Sequence, residues 1–442
     1  MKSARPKVLH TLAGRSLLQH VLNAVAGLHA DRTLVIVGHE ADAVRASVAA
    51  SGVQCVLQEP QAGTGHAVQQ AVPHLPDEGT TLILNGDVPL IERGTAAALL
   101  AAGGGGKLAL LTVELADPAG YGRIVRDAAG RVRAIVEQKD ATETQRAIRE
   151  VYTGVLAAPT AWLKRAVMAL TNDNAQKEYY LTDLVQAAVR DGVAVETLVV
   201  ADSGEVAGVN DPSQLADLER RFQRRQAEAL MRDGVRLADP ARFDLRGTLA
   251  CGQDVQIDVG CVFEGDVRLG DGVSIGAHCV IRNARIDAGA SIQPFTHITD
   301  AVVGPRAEIG PFARLRPGAE LGAEVHIGNF VEIKNATLAH GAKANHLAYL
   351  GDATVGERVN FGAGSITANY DGANKHRTVI GNDVHVGSNC VLVAPLTVGE
   401  GATIGGGSTI SKDAPAGQLT VARARQVSIE GWVRPKKAAK PS

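Results

Sequence analysis

The residues best suited to chemistry fall into two groups. In the second half of the chain, RLRPGAEL (314–321), NFVEIKNA (329–336) and NHLAYLGD (345–352) carry Arg316, Glu332, Lys334, His346 and Tyr349, with Asn360 close behind. A histidine titrates near neutrality, so His346 is the natural base for a nucleophile that must lose a proton. Arg316 and Lys334 offer the positive charge that a phosphate dianion needs. Glu332, two residues from Lys334, suits pairing with it or holding an amine. In the first half, the apolar run 81–84 ends in Asn85-Gly86-Asp87. Ligands of open α/β sheets sit beyond the carboxyl ends of the strands, so Asp87 stands where chemistry tends to happen. Each residue also has a purely structural reading: a satisfied histidine, a surface ion pair, a turn carboxylate.

The elements that must position the first group announce themselves by period. Aliphatic residues recur every six positions: Leu269, Ile275, Ile281; Ile286, Ile292, Ile298; Val303, Ile309, Leu315, Leu321, Ile327, Ile333; and, after an irregular stretch, Ile380, Val386, Leu392, Val398, Ile404, Ile410. Neither a helix nor an amphipathic strand sustains a period of six. A parallel β-helix does, with each aliphatic side chain inward and a tight corner beside it, three hexads to a turn. The steps 281 to 286, 298 to 303 and 333 to 338 are one residue short, which predicts a slip at some corners. Residues 367–377 interrupt the hexads, and insertions into a solenoid become loops on one face, often the binding face.

The first half reads differently. Residues 15–28, 40–50 and 65–72 have helical spacing, while 33–37, 53–57 and 81–84 are short apolar runs. That alternation predicts a parallel sheet covered by helices, over about residues 1–212. The segment 213–233, rich in Glu, Arg, Gln and Leu behind Pro212, predicts one exposed linking helix, or an ordinary surface helix of either domain. The β-helix then occupies 234–442.

Composition agrees and excludes. A chain of 442 residues exceeds one ordinary core, so two domains are expected. Net charge −2 lacks the footprint of a general nucleic-acid binder. Five cysteines without a CxxC pair argue against disulfides or a zinc ribbon and for a reducing cytoplasm. The most apolar stretch, 96–116, is broken by Gly103 to Gly106 and Lys107, which argues against membrane insertion.

In order along the chain stand PKVLHTLAGR (6–15), EPQAGTGHA (59–67), GDVPL (86–90), DPAGYGRIV (117–125), VEQKDAT (136–142), NAQKEYYLTD (174–183), GVND (208–211), the three motifs above, NFGAGSITANYDGANKHRT (360–378) and GSNCVLVAP (387–395). Together these resemble the bacterial bifunctional N-acetylglucosamine-1-phosphate uridylyltransferases / glucosamine-1-phosphate acetyltransferases. The resemblance implies a Rossmann-like α/β nucleotidyltransferase domain, a linker helix and a left-handed parallel β-helix. It implies a cytoplasmic enzyme that acetylates glucosamine 1-phosphate from acetyl-CoA and then transfers UMP from UTP to the product, making a precursor of cell-envelope polymers. It also implies a homotrimer with each acetyl-transfer site between subunits.

Site by site, the resemblance makes His346 the base, with Arg316, Lys334, Tyr349 and Asn360 on the sugar phosphate. It places Ala363, Asn369, Tyr370, Ser388, Gly406 and Arg423 on acetyl-CoA, and Lys375 near a CoA phosphate; the family usually has Ala where Gly406 stands. For uridylyl transfer it makes Asp87 and Asn210 the Mg²⁺ ligands. Lys7 would meet phosphate, Gln58, Gly63 and Thr64 the nucleotide, Asn85 and Gly86 the same strand end, and Gly122 and Glu137 the sugar. Asn85 stands where the family commonly has Tyr, and Tyr152 where it has Asn, so their contacts would run through the backbone. The family pattern begins with LAAGxGTRM upstream of PKVLH, and Met1 falls on that motif's Met. This suggests an internal Met of a longer protein, or else an acetyltransferase that has lost uridylyl transfer; the presence of the remaining site residues favours the former. A catalytically inert solenoid scaffold would instead show regular hexads throughout.

Overall fold

The computed structural model describes residues 3–436; the final residues 437–442 of the basic tail, expected as a solvated or subunit-bridging end, lie outside them. The chain divides into two units, Met1–Gln223 and Arg224–Ser442.

In the first unit the expected helices and strands form, but the main sheet is mixed rather than parallel. Strands Val195–Val200, Leu108–Glu114, Glu150–Pro159, Arg123–Arg126 and Val132–Val136 lie in that order, with Thr80–Ile83 also on Glu150–Pro159. Only Val195–Val200 runs parallel to Leu108–Glu114; Glu150–Pro159 is antiparallel to all three of its neighbours. The reason lies in the connections. The hairpin formed by Arg123–Arg126 and Val132–Val136 needs no helical crossover, so the chain returns in the opposite direction. A separate parallel pair, Leu34–Val37 with Gln54–Leu57, flanks helix Ala41–Val48 in sequence. The apolar stretch 96–116 resolves into the end of helix Arg93–Ala102 and the buried strand Leu108–Glu114. Among the described residues no helix is long and apolar enough to cross a membrane.

Helix Pro212–Arg232 forms as its composition suggests, but it is not exposed all round. Leu218 packs with Leu12, Leu17, Leu90 and Val209, Gln223 is buried, and Ala227 belongs to the core of the second unit.

That second unit is a left-handed parallel β-helix, and every hexad residue named above is buried in it. Each wall of the prism stacks one aliphatic column. Ile257, Ile275, Ile292, Ile309, Ile327, Ala344, Phe361, Val386 and Ile404 are successive register partners. Phe263, Ile281, Ile298, Leu315, Ile333 and Leu350 form a second column, and Ile286, Val303, Leu321, Leu338, Val355, Ile380 and Val398 line the third. Each buried aliphatic contributes about 1.5–3 kcal/mol, so the columns are the chief source of stability. The slip appears as a register shift between Glu264 and Val267. Thr367 interrupts the second column without leaving it: buried, its hydroxyl accepts from Gly351 N and donates to Gly351 O, at 2.8 and 2.9 Å. The insertion therefore begins at Asn369, two residues later than the sequence suggests.

Candidate active sites

At one corner of the prism, strand Lys343–His346 ends a wall, Leu347 turns with φ 51°, and Tyr349–Gly351 opens the next wall. His346 is exposed there. Its Nδ1 lies 3.0 Å from Oδ1 of Asn329, its register partner one coil below. An amide oxygen only accepts, so Nδ1 is the donor in this pair and Nε2 is the ring nitrogen left for proton transfer. On the adjoining wall, Glu332 pairs with Tyr349 and Lys334 with Gly351 in register. Arg316 Nη1 lies 2.7 Å from Glu332 Oε1, so Glu332 is held by Arg316 rather than by Lys334. Lys334 instead meets Lys375 from the insertion, and that contact, followed by partial burial, pulls the Lys334 ammonium below the usual lysine range. Lys334, Lys375 and Arg316 thus bring like charges near one another, a combination suited to an anion. Asn360 lies on the other wall, its Nδ2 3.2 Å from His385 Nδ1.

The residues expected on acetyl-CoA spread along the same unit. Asn369 is buried, its amide nitrogen donating to Asp352, which also accepts from Asn335. Burial would raise the Asp352 carboxyl, but those two amides and the neighbouring lysines hold it below the usual range. Tyr370 is exposed, its hydroxyl donating to Gly372 O at 2.6 Å. The carbonyl of Ala363 accepts from Asn389 N at 2.8 Å, and that of Ser388 from Gly407 N at 2.8 Å. Arg423 Nη1 donates to the carbonyl of Gly406 at 2.7 Å.

In the first unit, Asn85, Asp87, Tyr121, Thr153, Gly208 and Asn210 help line a cleft of about 310 Å³. Lys7 Nζ lies 2.6 Å from Asp87 Oδ2 and 3.1 Å from Asn210 Oδ1. Two oxygens that converge on one cation are a donor set suited to Mg²⁺. The carbonyl of Asp87 accepts from Val209 N at 3.1 Å, which ties the GVND turn to the strand end. Gly86 packs against Val8, where a Cβ would lie 3.3 Å from Val8 Cγ1.

Gln58, Gly63 and Thr64 form a separate hydrogen-bonded group at the start of helix Thr64–Ala71. Gln58 Nε2 donates to Gly63 O at 3.0 Å, and Thr64 Oγ1 accepts from Leu181 N at 3.2 Å. Gly63 has φ 105° and a Cβ there would lie 2.7 Å from Tyr179 O, so only glycine fits. Glu137 is partly buried beside Gly122; burial pushes its carboxyl up, against the Thr182 hydroxyl at 3.2 Å. Tyr152 lies in the apolar core with Leu110 and Ile124, its buried hydroxyl without a hydrogen-bond partner. Its backbone N–H donates to Gly122 O at 2.9 Å. Asn85 Nδ2 reaches Thr153 O at 3.3 Å.

Comparison with known proteins agrees with both halves. Residues 1–155 match the MobA-like NTP transferase domain, 245–327 the GMPPB C-terminal domain, and 377–412 the bacterial transferase hexapeptide (six repeats). The Bifunctional protein GlmU of Methylibium petroleiphilum is 73% identical over 99% of this chain and 96% of its own length. The chain belongs to the GlmU family. The GlmU proteins of Paracidovorax citrulli and Aromatoleum aromaticum are 65% and 59% identical, covering 100% and 99% of this chain and 96% of their own lengths.

Within this GlmU-family chain, sequence reasoning missed Asn329, Asp352 and Asn335. The signal was available for Asn329: it precedes His346 by 17 residues (346 − 329), the same step as from Ile275 to Ile292 (292 − 275), which are register partners. The same 17-residue step separates Asn335 from Asp352 (352 − 335) and Asp352 from Asn369 (369 − 352), so that signal was available for them as well.

Proposed function

We propose that this GlmU-family chain, a bifunctional acetyltransferase and uridylyltransferase, acetylates glucosamine 1-phosphate in its β-helix and transfers UMP to the product in its first unit. The His346–Asn329 pair carries the first assignment. Nε2 of His346 takes a proton from the sugar amine, the amine nitrogen attacks the thioester carbonyl of acetyl-CoA, and CoA leaves as its thiol. Such a base contributes about 10²–10⁴-fold. Arg316 and Lys334 receive the sugar phosphate, with Lys375 of the insertion beside Lys334. Tyr349 and Asn360 line the sugar, and Ala363, Asn369, Tyr370, Ser388, Gly406 and Arg423 the acetyl-CoA.

In the second reaction the sugar phosphate attacks the α-phosphorus of UTP and pyrophosphate leaves. Asp87 and Asn210 hold Mg²⁺, which when bound neutralises charge on the phosphates. Lys7 meets phosphate; Gln58, Gly63 and Thr64 hold the nucleotide; Gly86, the Asn85 backbone, Gly122, Glu137 and the Tyr152 backbone frame the sugar. The enzyme works as a cytoplasmic homotrimer that supplies UDP-N-acetylglucosamine for peptidoglycan and lipopolysaccharide. Relatives matched over nearly their full length favour two activities over acetyl transfer alone. Parallel assays of CoA release and pyrophosphate release test the assignment. His346→Ala abolishes the first and spares the second, and Asp87→Asn does the reverse; loss of both activities in either variant contradicts it.

A further inference from the structure

The cation between Asp87 and Asn210 is a side chain of the protein itself. Lys7 Nζ sits 2.6 Å from one oxygen and 3.1 Å from the other, so one ammonium occupies the point where the proposed metal ligands converge. Its backbone is anchored nearby. Lys7–Leu9 is one turn of 3-10 helix, and Val8 packs on Gly86 beside Asp87. The side chain itself is less constrained, with 40% of its surface exposed, and a lysine is a compact charge on a flexible stem.

Resting on the reading of Asp87 and Asn210 as metal ligands, we propose that Lys7 is a built-in counter-cation that holds these two side chains together and is displaced when a divalent ion enters. An uncompensated carboxylate in the cleft is costly, and an ammonium offsets that cost without filling a coordination shell. A divalent ion and an ammonium at that separation repel, so both cannot occupy the point. The arriving ion therefore frees Lys7, whose stem lets the ammonium swing to the phosphates that accompany the metal. One charge thus serves two states: partner to the carboxylate before loading, partner to phosphate after. Metal entry and phosphate capture become coupled through one residue, which acts on the metal as a positioning residue.

The test uses Mn²⁺ alone, without nucleotide, titrated into the full chain at low ionic strength and followed by the electron paramagnetic resonance of the free ion. Lys7→Gln removes the competitor and is expected to bind Mn²⁺ about fivefold more tightly than wild type, the upper end of a partly exposed ion pair. Lys7→Arg, which keeps the charge, is expected to stay within about twofold of wild type. Unchanged or weaker binding in Lys7→Gln overturns the proposal. Asp87→Asn separates the underlying reading: if it binds Mn²⁺ as wild type does, Asp87 is not a ligand and the proposal falls for that distinct reason. In wild type, Mn²⁺ should also speed acylation of Lys7 by an amine-specific reagent, read by mass spectrometry; an unchanged rate equally refutes displacement.

Discussion

Replacing Asn329 with alanine removes the one oxygen that holds His346 Nδ1, 3.0 Å away, and leaves the ring otherwise intact. Without that acceptor the proton is free to occupy Nε2, and the ring is free to rotate about its side-chain bonds. A hydrogen bond of this type is worth about 0.5–1.5 kcal/mol net. At 1.36 kcal/mol per decade, kcat/KM for acetyl transfer should fall about 2- to 13-fold. The loss should be well short of that for His346→Ala, about 10²–10⁴-fold, because the base itself remains. Release of CoA thiol under limiting glucosamine 1-phosphate measures it, and pyrophosphate release from the other unit serves as an internal control for folding. Asn329→Asp, whose carboxylate also accepts from Nδ1, should recover most of the activity. The decisive comparison is the double variant. If Asn329 acts through His346, Asn329→Ala should cost nothing further in a His346→Ala background. An equal additional loss there, or a wild-type rate in the single variant, refutes the tautomer argument.

Two further outcomes follow from charge and burial. Lys334 loses its proton below the usual lysine range because Lys375 touches it; Lys375→Met should therefore move the alkaline rise in KM for the sugar phosphate to higher pH, measured by initial rates across an alkaline series, while raising KM at neutral pH. His20 is buried with its Nε2 2.8 Å from Leu12 O, and burial holds its folded pKa below 6.5. Above that value neither state is protonated and His20 adds no pH dependence; below it the unfolded chain binds a proton that the folded chain resists, so stability falls. Denaturant unfolding of the full chain between pH 7 and 5 should show that loss, and His20→Phe should flatten it.

Much of this molecule is written into one dimension. A period of six survives in the fold because each wall of the prism buries one side chain per hexad, so Leu269, Ile275 and Ile281 had to face the same axis. Capping was equally local: Ser16 accepts from Gln19 N at 3.1 Å at the start of helix Leu17–Val25. The chemistry-bearing motifs were legible too, since their residue types have few other uses together. Three matters were decided only in three dimensions. Strand direction in the first unit depends on the hairpin Arg123–Arg126 with Val132–Val136, and apolar runs have no direction of their own. The partner of Glu332 was another, since its register partner is Arg314 yet its close ion pair, at 2.7 Å, is with Arg316. The meetings of Lys7 with Asp87 and of Lys375 with Lys334 join segments far apart along the chain or carried by an insertion. No periodicity encodes such distances; packing alone brings those charges together.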